Sequence, residues 1–140
     1  MEDVAWYPLV YELASPPEAA KMAGPVLSNA GSGEFQVLYR LPIPAMKGNK
    51  RLHIDGVQVG LYDADPTNHI VKFNVVGVTI NGVDKLLKAH QPISMKMVKN
   101  QMFTAADASK YEAIFIRIWA TGTVQNKLAI TAAMLHCYYV

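Results

Sequence analysis

Tyr111-Glu-Ala-Ile-Phe-Ile-Arg-Ile-Trp-Ala120 passes through Thr121-Gly-Thr-Val-Gln-Asn126 into Lys127-Leu-Ala-Ile-Thr-Ala-Ala-Met-Leu-His-Cys-Tyr-Tyr-Val140. Both long runs are rich in β-branched and aromatic residues, and the link between them is polar. The pattern predicts two strands joined as an antiparallel hairpin. From Leu128 to Val140 there is no Asp, Glu, Lys or Arg. A strand apolar on both faces has to be covered on both, so this one is expected inside the core, a subunit interface, or both.

Arg51 to Ile80 repeats the β signal with a phase change. Leu52 and Ile54 fall on one face of a strand, whereas Val57, Val59 and Leu61 fall on the other. One extra residue at Asp55-Gly56, a β-bulge, restores all five to a single face. Val71, Phe73 and Val75 give way to Val76, Val78 and Ile80 in the same manner. Paired slips of this kind predict strands that bend from one sheet of a sandwich to the other. Asp63-Ala64-Asp65-Pro66-Thr67-Asn68 between them reads as a turn. Asn81-Gly82 is the strongest hairpin signal in the chain and predicts a return strand over Val83 to Ala89, although Val83, Leu86 and Leu87 also fit helical spacing. Ile93, Met95 and Met97 alternate with Ser94, Lys96 and Val98, a strand that Met102-Phe103 extends. Thr104 then opens a short helical turn or loop ending at Lys110.

At the other end, Trp6 to Leu13 reads as a strand, with Pro8 placing it at an edge or a strand start. Ser15 as cap, Pro16 at the first helical position and Glu18 completing a capping box predict a short helix, which Gly24-Pro25 stops. Ser28 to Glu34 is a loop followed by the strand Phe35 to Leu41. A phosphate cradle requires a helix there instead. Pro42 and Pro44 close that strand, and Lys47 to Lys50 forms another polar turn. The sum is about eight short strands with no βαβ alternation. The expected fold is all-β: an antiparallel β-sandwich, a single jelly roll, with one short N-terminal helix, and residues 1–140 as one domain.

Composition narrows the function. The chain has 140 residues and a net charge of +2, with its 13 basic residues dispersed. A nucleic-acid binder concentrates cations on one face, so no nucleic-acid partner is expected. No apolar run reaches the length of a membrane-crossing helix. The acidic start Met-Glu-Asp is no signal peptide. Cys137, the single cysteine, forms no internal disulfide. A reducing compartment, or a fold indifferent to redox, is the simplest reading. Localisation stays open between a virion or extracellular assembly and the cytoplasm.

Chemistry-bearing residues are sparse. Asp63, Asp65 and Asn68 bring three oxygen donors to one loop, a weak calcium pattern without the glycine and glutamate of an EF-hand. His53, His69, His90 and His136 show no metal-ligand spacing. His53 and Asp55 share a strand face, whereas His136 and Cys137 point to opposite faces and cannot act together. No nucleophile elbow or paired carboxylate stands out, so neither an enzyme nor a cofactor is expected. Trp6, Tyr7 and Tyr62 are candidates for stacking on a sugar ring. Arg117 shares its strand face with Trp119. With Leu135, Cys137 and Tyr139 these two are the expected oligomer interface. The function expected is non-catalytic: a jelly-roll subunit self-associating, as a trimer in the first instance, into a capsid decoration, fibre head or filament. A carbohydrate-binding module is the alternative, with a glycan as partner.

Overall fold

The structure, a computed structural model, describes residues 2–15, 20–23, 26–29, 33–63, 70–90, 97–122 and 127–140. Among the described residues twelve strands form two antiparallel sheets: β1 (Glu2–Pro8), β2 (Val10–Ser15), β3 (Ala20–Ala23), β4 (Val26–Asn29), β5 (Gly33–Arg40), β6 (Met46–Lys47), β7 (Lys50–Asp63), β8 (Ile70–Val78), β9 (Asp84–His90), β10 (Met97–Asp107), β11 (Ala113–Gly122) and β12 (Lys127–Tyr139). The first sheet runs β10-β7-β12-β4-β3, with β1 also on β12 and β6 on β7. The second runs β2-β5-β11-β8-β9. Taken as β1-β12-β7-β10 facing β5-β11-β8-β9, the strand order is that of a jelly roll.

The terminal pair does not form the expected hairpin. β11 lies in the second sheet between β5 and β8, and β12 lies in the first between β1 and β7. Chain neighbours are here partners across the core, not within a ladder. The same holds for β7 and β8, which belong to different sheets throughout and do not bend between them. The strand that does change sheets is the N-terminal one. β1 pairs with β12 and β2 with β5, and the crossing at Leu9 is fixed by its N–H donating to the Ala133 carbonyl at 2.8 Å.

The expected bulge at Asp55-Gly56 is present. Along β12 the partners run Val57↔Leu135, Gly56↔His136 and then Ile54↔Cys137, which leaves Asp55 as the extra residue. Its effect is the one the pattern requires: Leu52, Ile54, Val57 and Val59 all point inward and are buried. Facing them across the sandwich are Val37 and Tyr39 of β5, Phe73 and Val75 of β8, and Ile114, Ile116 and Ile118 of β11. The second expected slip, in Val71 to Ile80, is absent from β8, which pairs with β11 without a shift; the irregularity is on β9, where the register steps from Val75↔Lys88 to Val76↔Leu86.

The expected N-terminal helix is strand at Ser15 and at Ala20–Ala23, and residues 16–19 lie outside the described residues. Ala20–Ala23 pairs antiparallel with Val26–Asn29 despite its alanines, and no α-helix occurs among the described residues. Thr104 lies within β10. The helical turn there is a single 3-10 turn, Ala108–Lys110, capped by Asp107, whose Oδ1 accepts from the Ser109 N–H at 2.9 Å. The hairpin signal holds: Gly82, with φ of 76°, closes a turn in which its N–H donates to the Thr79 carbonyl, and β9 is the return strand.

Candidate functional site

The outer face of the first sheet gathers rings. β12 turns Ala133, Leu135, Cys137 and Tyr139 into the core, so alternation sends Met134, His136 and Tyr138 outward. Trp6 stands directly opposite His136 in the ladder, and His53 opposite Tyr138. Trp6 meets the His136 ring edge-on at 5.1 Å, and His53 stacks on Tyr138 at 5.7 Å. The bulge aims Asp55 at this face, where its Oδ1 lies 2.6 Å from His136 Nδ1. A carboxylate only accepts, so Nδ1 carries the proton and donates. Next to His53, the Asp107 carboxyl is raised by desolvation but lowered more by the Ser109 hydroxyl and N–H, His53 and Arg51, and ends below its ordinary value.

An Asp–His pair of this kind can orient a general base, but base catalysis needs a nucleophile or a cleft. Among the described residues no hydroxyl or thiol bonds to the His136 imidazole. No group of three or more His, Cys, Asp and Glu there is placed to hold a metal.

The outer face of the second sheet is built around Trp119. Lys72 lies 4.9 Å and Arg117 5.4 Å from the centre of its ring. Arg117 Nη2 in turn donates to Asp84 Oδ2 of β9 at 2.6 Å. That ion pair ties the face to the sheet's edge hairpin. There Ile80, Val83 and Leu86 are 80%, 60% and 55% exposed, the largest run of exposed aliphatic side chains among the described residues. At the same end of the sandwich a cavity of about 170 Å3 is lined by Leu41, Ile43, Ala45, Tyr111 and Ile114, with Arg40 and Glu112 also on its wall.

The residues expected at functional sites are thus divided. Arg117 and Trp119 are on a surface. Leu135, Cys137 and Tyr139 are core residues, because the bulge and the pairing with β7 set that face of β12 inward. Tyr139 also donates from its hydroxyl to the Pro44 carbonyl at 2.7 Å. Of the candidate stacking residues, Trp6 lies on the outer face, whereas Tyr7 packs against the core. Tyr62 and Asp63 fall in β7 by backbone, and their side chains, like Asp65 and Asn68 altogether, lie outside the described residues. His136, Tyr138 and the exposed side chains of the Asn81-Gly82 hairpin were not singled out as functional residues in the sequence. Alternation set His136 and Cys137 on opposite faces, but no local signal brought Asp55 to His136.

No family model matches this chain. No curated protein matches it either. Solved structures of similar shape exist at low identity. One is the family 32 carbohydrate-binding module of AlyQ, in complex with 4,5-unsaturated mannuronic acid: TM-score 0.47, 14% identity, covering 93% of this chain and 97% of that one. Another is the family 11 carbohydrate-binding module of the cellulosomal cellulase Lic26A-Cel5E of Clostridium thermocellum, with TM-score 0.47, 13% identity and 96% of each chain covered. A third is a chain of infectious bursal disease virus, Gx strain, with TM-score 0.47 and 12% identity, where 99% of this chain aligns with 32% of that one.

Proposed function

We propose that this chain is a non-catalytic structural subunit, one jelly-roll domain that self-associates into a homo-oligomer as part of a particle, fibre or filament. One observation carries the reading: the edge hairpin of the second sheet exposes Ile80, Val83 and Leu86 together. β9 ends its sheet, so beside these side chains lies a strand edge without a neighbour among the described residues. Exposed apolar side chains on a free strand edge are what a monomer avoids and an interface uses. Arg117 and Trp119, joined to the hairpin through Asp84, extend the same surface.

A glycan platform has less support. The Trp119 ring already has two cations over it, Trp6 is engaged by His136, and Tyr7 is turned inward.

Size-exclusion chromatography with light scattering tests the proposal. The wild type is expected to be oligomeric at micromolar concentration. Leu86→Lys, at an exposed position, is expected to keep its far-UV circular dichroism and shift to the monomer mass. A monomeric wild type would sink the reading.

A further inference from the structure

We propose that a second, apolar cavity, at the point where the N-terminal strand changes sheets, is a binding site for a small neutral aromatic molecule carrying a carbonyl oxygen. This goes beyond the self-association reading and does not depend on it.

The cavity follows from the path of the chain. β12 pairs with β7 along one edge. Along its other edge β4 pairs with Lys127 to Ala129, and β1 pairs from Met134 onward. Between those partners the Leu9 N–H, donated to the Ala133 carbonyl, is the one bond this edge receives among the described residues. Pro8, opposite Met134, has no N–H with which to prolong the β1 ladder, and the chain leaves for the second sheet. β12 is also thin here, with Ala132 and Ala133 standing between Ile130 and Leu135. Small side chains beside an interrupted ladder leave about 260 Å3 open, lined by Leu9, Tyr39, Ile130, Ala132, Ala133 and Met134. Interiors are otherwise close-packed, so a plain core does not leave a space of this size.

The lining selects the ligand. No charged side chain lies on the wall among the described residues, so a charged molecule would lose its water there and gain no partner. A cavity of roughly 150 Å3 holds a six-carbon ring, so the space here suits a fused bicycle of about ten non-hydrogen atoms. The Tyr39 ring and the Met134 thioether are both groups against which an aromatic ring packs well. Tyr39 is also the one polar side chain on the wall. Tyr11 meets its ring edge-on at 6.0 Å, and its hydroxyl has no hydrogen-bond partner among the described residues. Burial, and after it the neighbouring Tyr11, pushes that phenol up to about 12, so it remains a neutral donor. A carbonyl oxygen on the ligand supplies the acceptor it lacks.

The test uses the full chain and two bicyclic compounds, 1-indanone and indane, the second of which lacks the carbonyl. Binding is measured by equilibrium dialysis. 1-Indanone is expected to bind at one molecule per chain with roughly millimolar affinity or better. Tyr39→Phe is expected to weaken 1-indanone roughly three- to tenfold, the effect of one neutral hydrogen bond, and to leave indane unchanged. Ala133→Leu places a larger side chain in the space and is expected to abolish binding of both, with the far-UV circular dichroism of the wild type. No binding by the wild type overturns the proposal. Undiminished binding by a folded Ala133→Leu chain overturns it too, since the molecule then sits elsewhere. Equal 1-indanone affinities in the wild type and Tyr39→Phe overturn the assignment of the carbonyl. Should Ala133→Leu not fold, the Tyr39→Phe comparison decides alone, because that hydroxyl has no partner whose loss would unfold the chain.

Discussion

At the scale of single residues, Cys137 shows how position decides chemistry. Its side chain is fully buried in the core, and its Sγ lies 3.4 Å from the Leu135 carbonyl. Burial, with a smaller contribution from the Asp55 charge, pushes its thiol up to about 12. In the unfolded chain a cysteine ionises near about pH 8.5. Below that pH both states hold the proton and Cys137 is neutral in the folding balance. Above it only the unfolded chain releases the proton, so stability falls as pH rises, by up to about 1.4 kcal/mol per unit. We expect unfolding free energies measured between about pH 8 and 10 to decline more steeply for the wild type than for Cys137→Ala. Equal slopes would show that the thiol ionises in the folded protein. The sequence announced part of this: alternation set His136 and Cys137 on opposite faces, but the Cys137 face, expected at a subunit contact, is core. The His136–Asp55 contact was illegible, since it joins positions 81 apart through a ladder whose partners no local pattern names.

Elements were legible where a local rule was strong enough to act alone. The bulge in β7 followed from two apolar phases that only one extra residue reconciles, and the β8–β9 turn followed from Asn81-Gly82. The failures share a cause. Helix propensity in Ala20 to Ala23 is worth only tenths of a kcal/mol per residue. The ladder to β4 outweighs it. The terminal hairpin failed because β11 and β12 go to opposite sheets of the jelly roll, so that proximity in sequence misleads about pairing there, although it does not for β8 and β9. The turn that did hold invites a test. Gly82 has φ of 76° and open space around the position of a Cβ, so a substitution there meets no clash and pays only for its backbone. Gly82→Ala is expected to cost about 1–2 kcal/mol, the penalty of the left-handed region for an L-residue. Urea denaturation reads it directly, and an unchanged midpoint would mean the turn relaxes without loss.

For the whole molecule the question is whether two sheets make one cooperative unit. Their inner faces interlock: Leu52, Ile54, Val57 and Leu135 of the first sheet form a single cluster with Val37, Phe73, Ile116 and Ile118 of the second. Neither sheet can open without exposing that layer to water, at roughly 25 cal/mol for each Å2 of apolar surface. The chain also crosses between sheets at Leu9, a further tie. The protein carries its own reporters, since its two tryptophans lie on opposite sheets, Trp6 against His136 and Trp119 beneath Lys72 and Arg117. In Trp119→Phe the remaining fluorescence follows the first sheet, and in Trp6→Phe it follows the second. Both positions are on outer faces, so each variant is expected to fold. If the shared core governs unfolding, the fluorescence transition in urea coincides with the far-UV circular dichroism transition within each variant. A fluorescence midpoint displaced from the dichroism midpoint in either variant would show one sheet melting ahead of the other. The buried layer between the sheets would then be too weak to couple them.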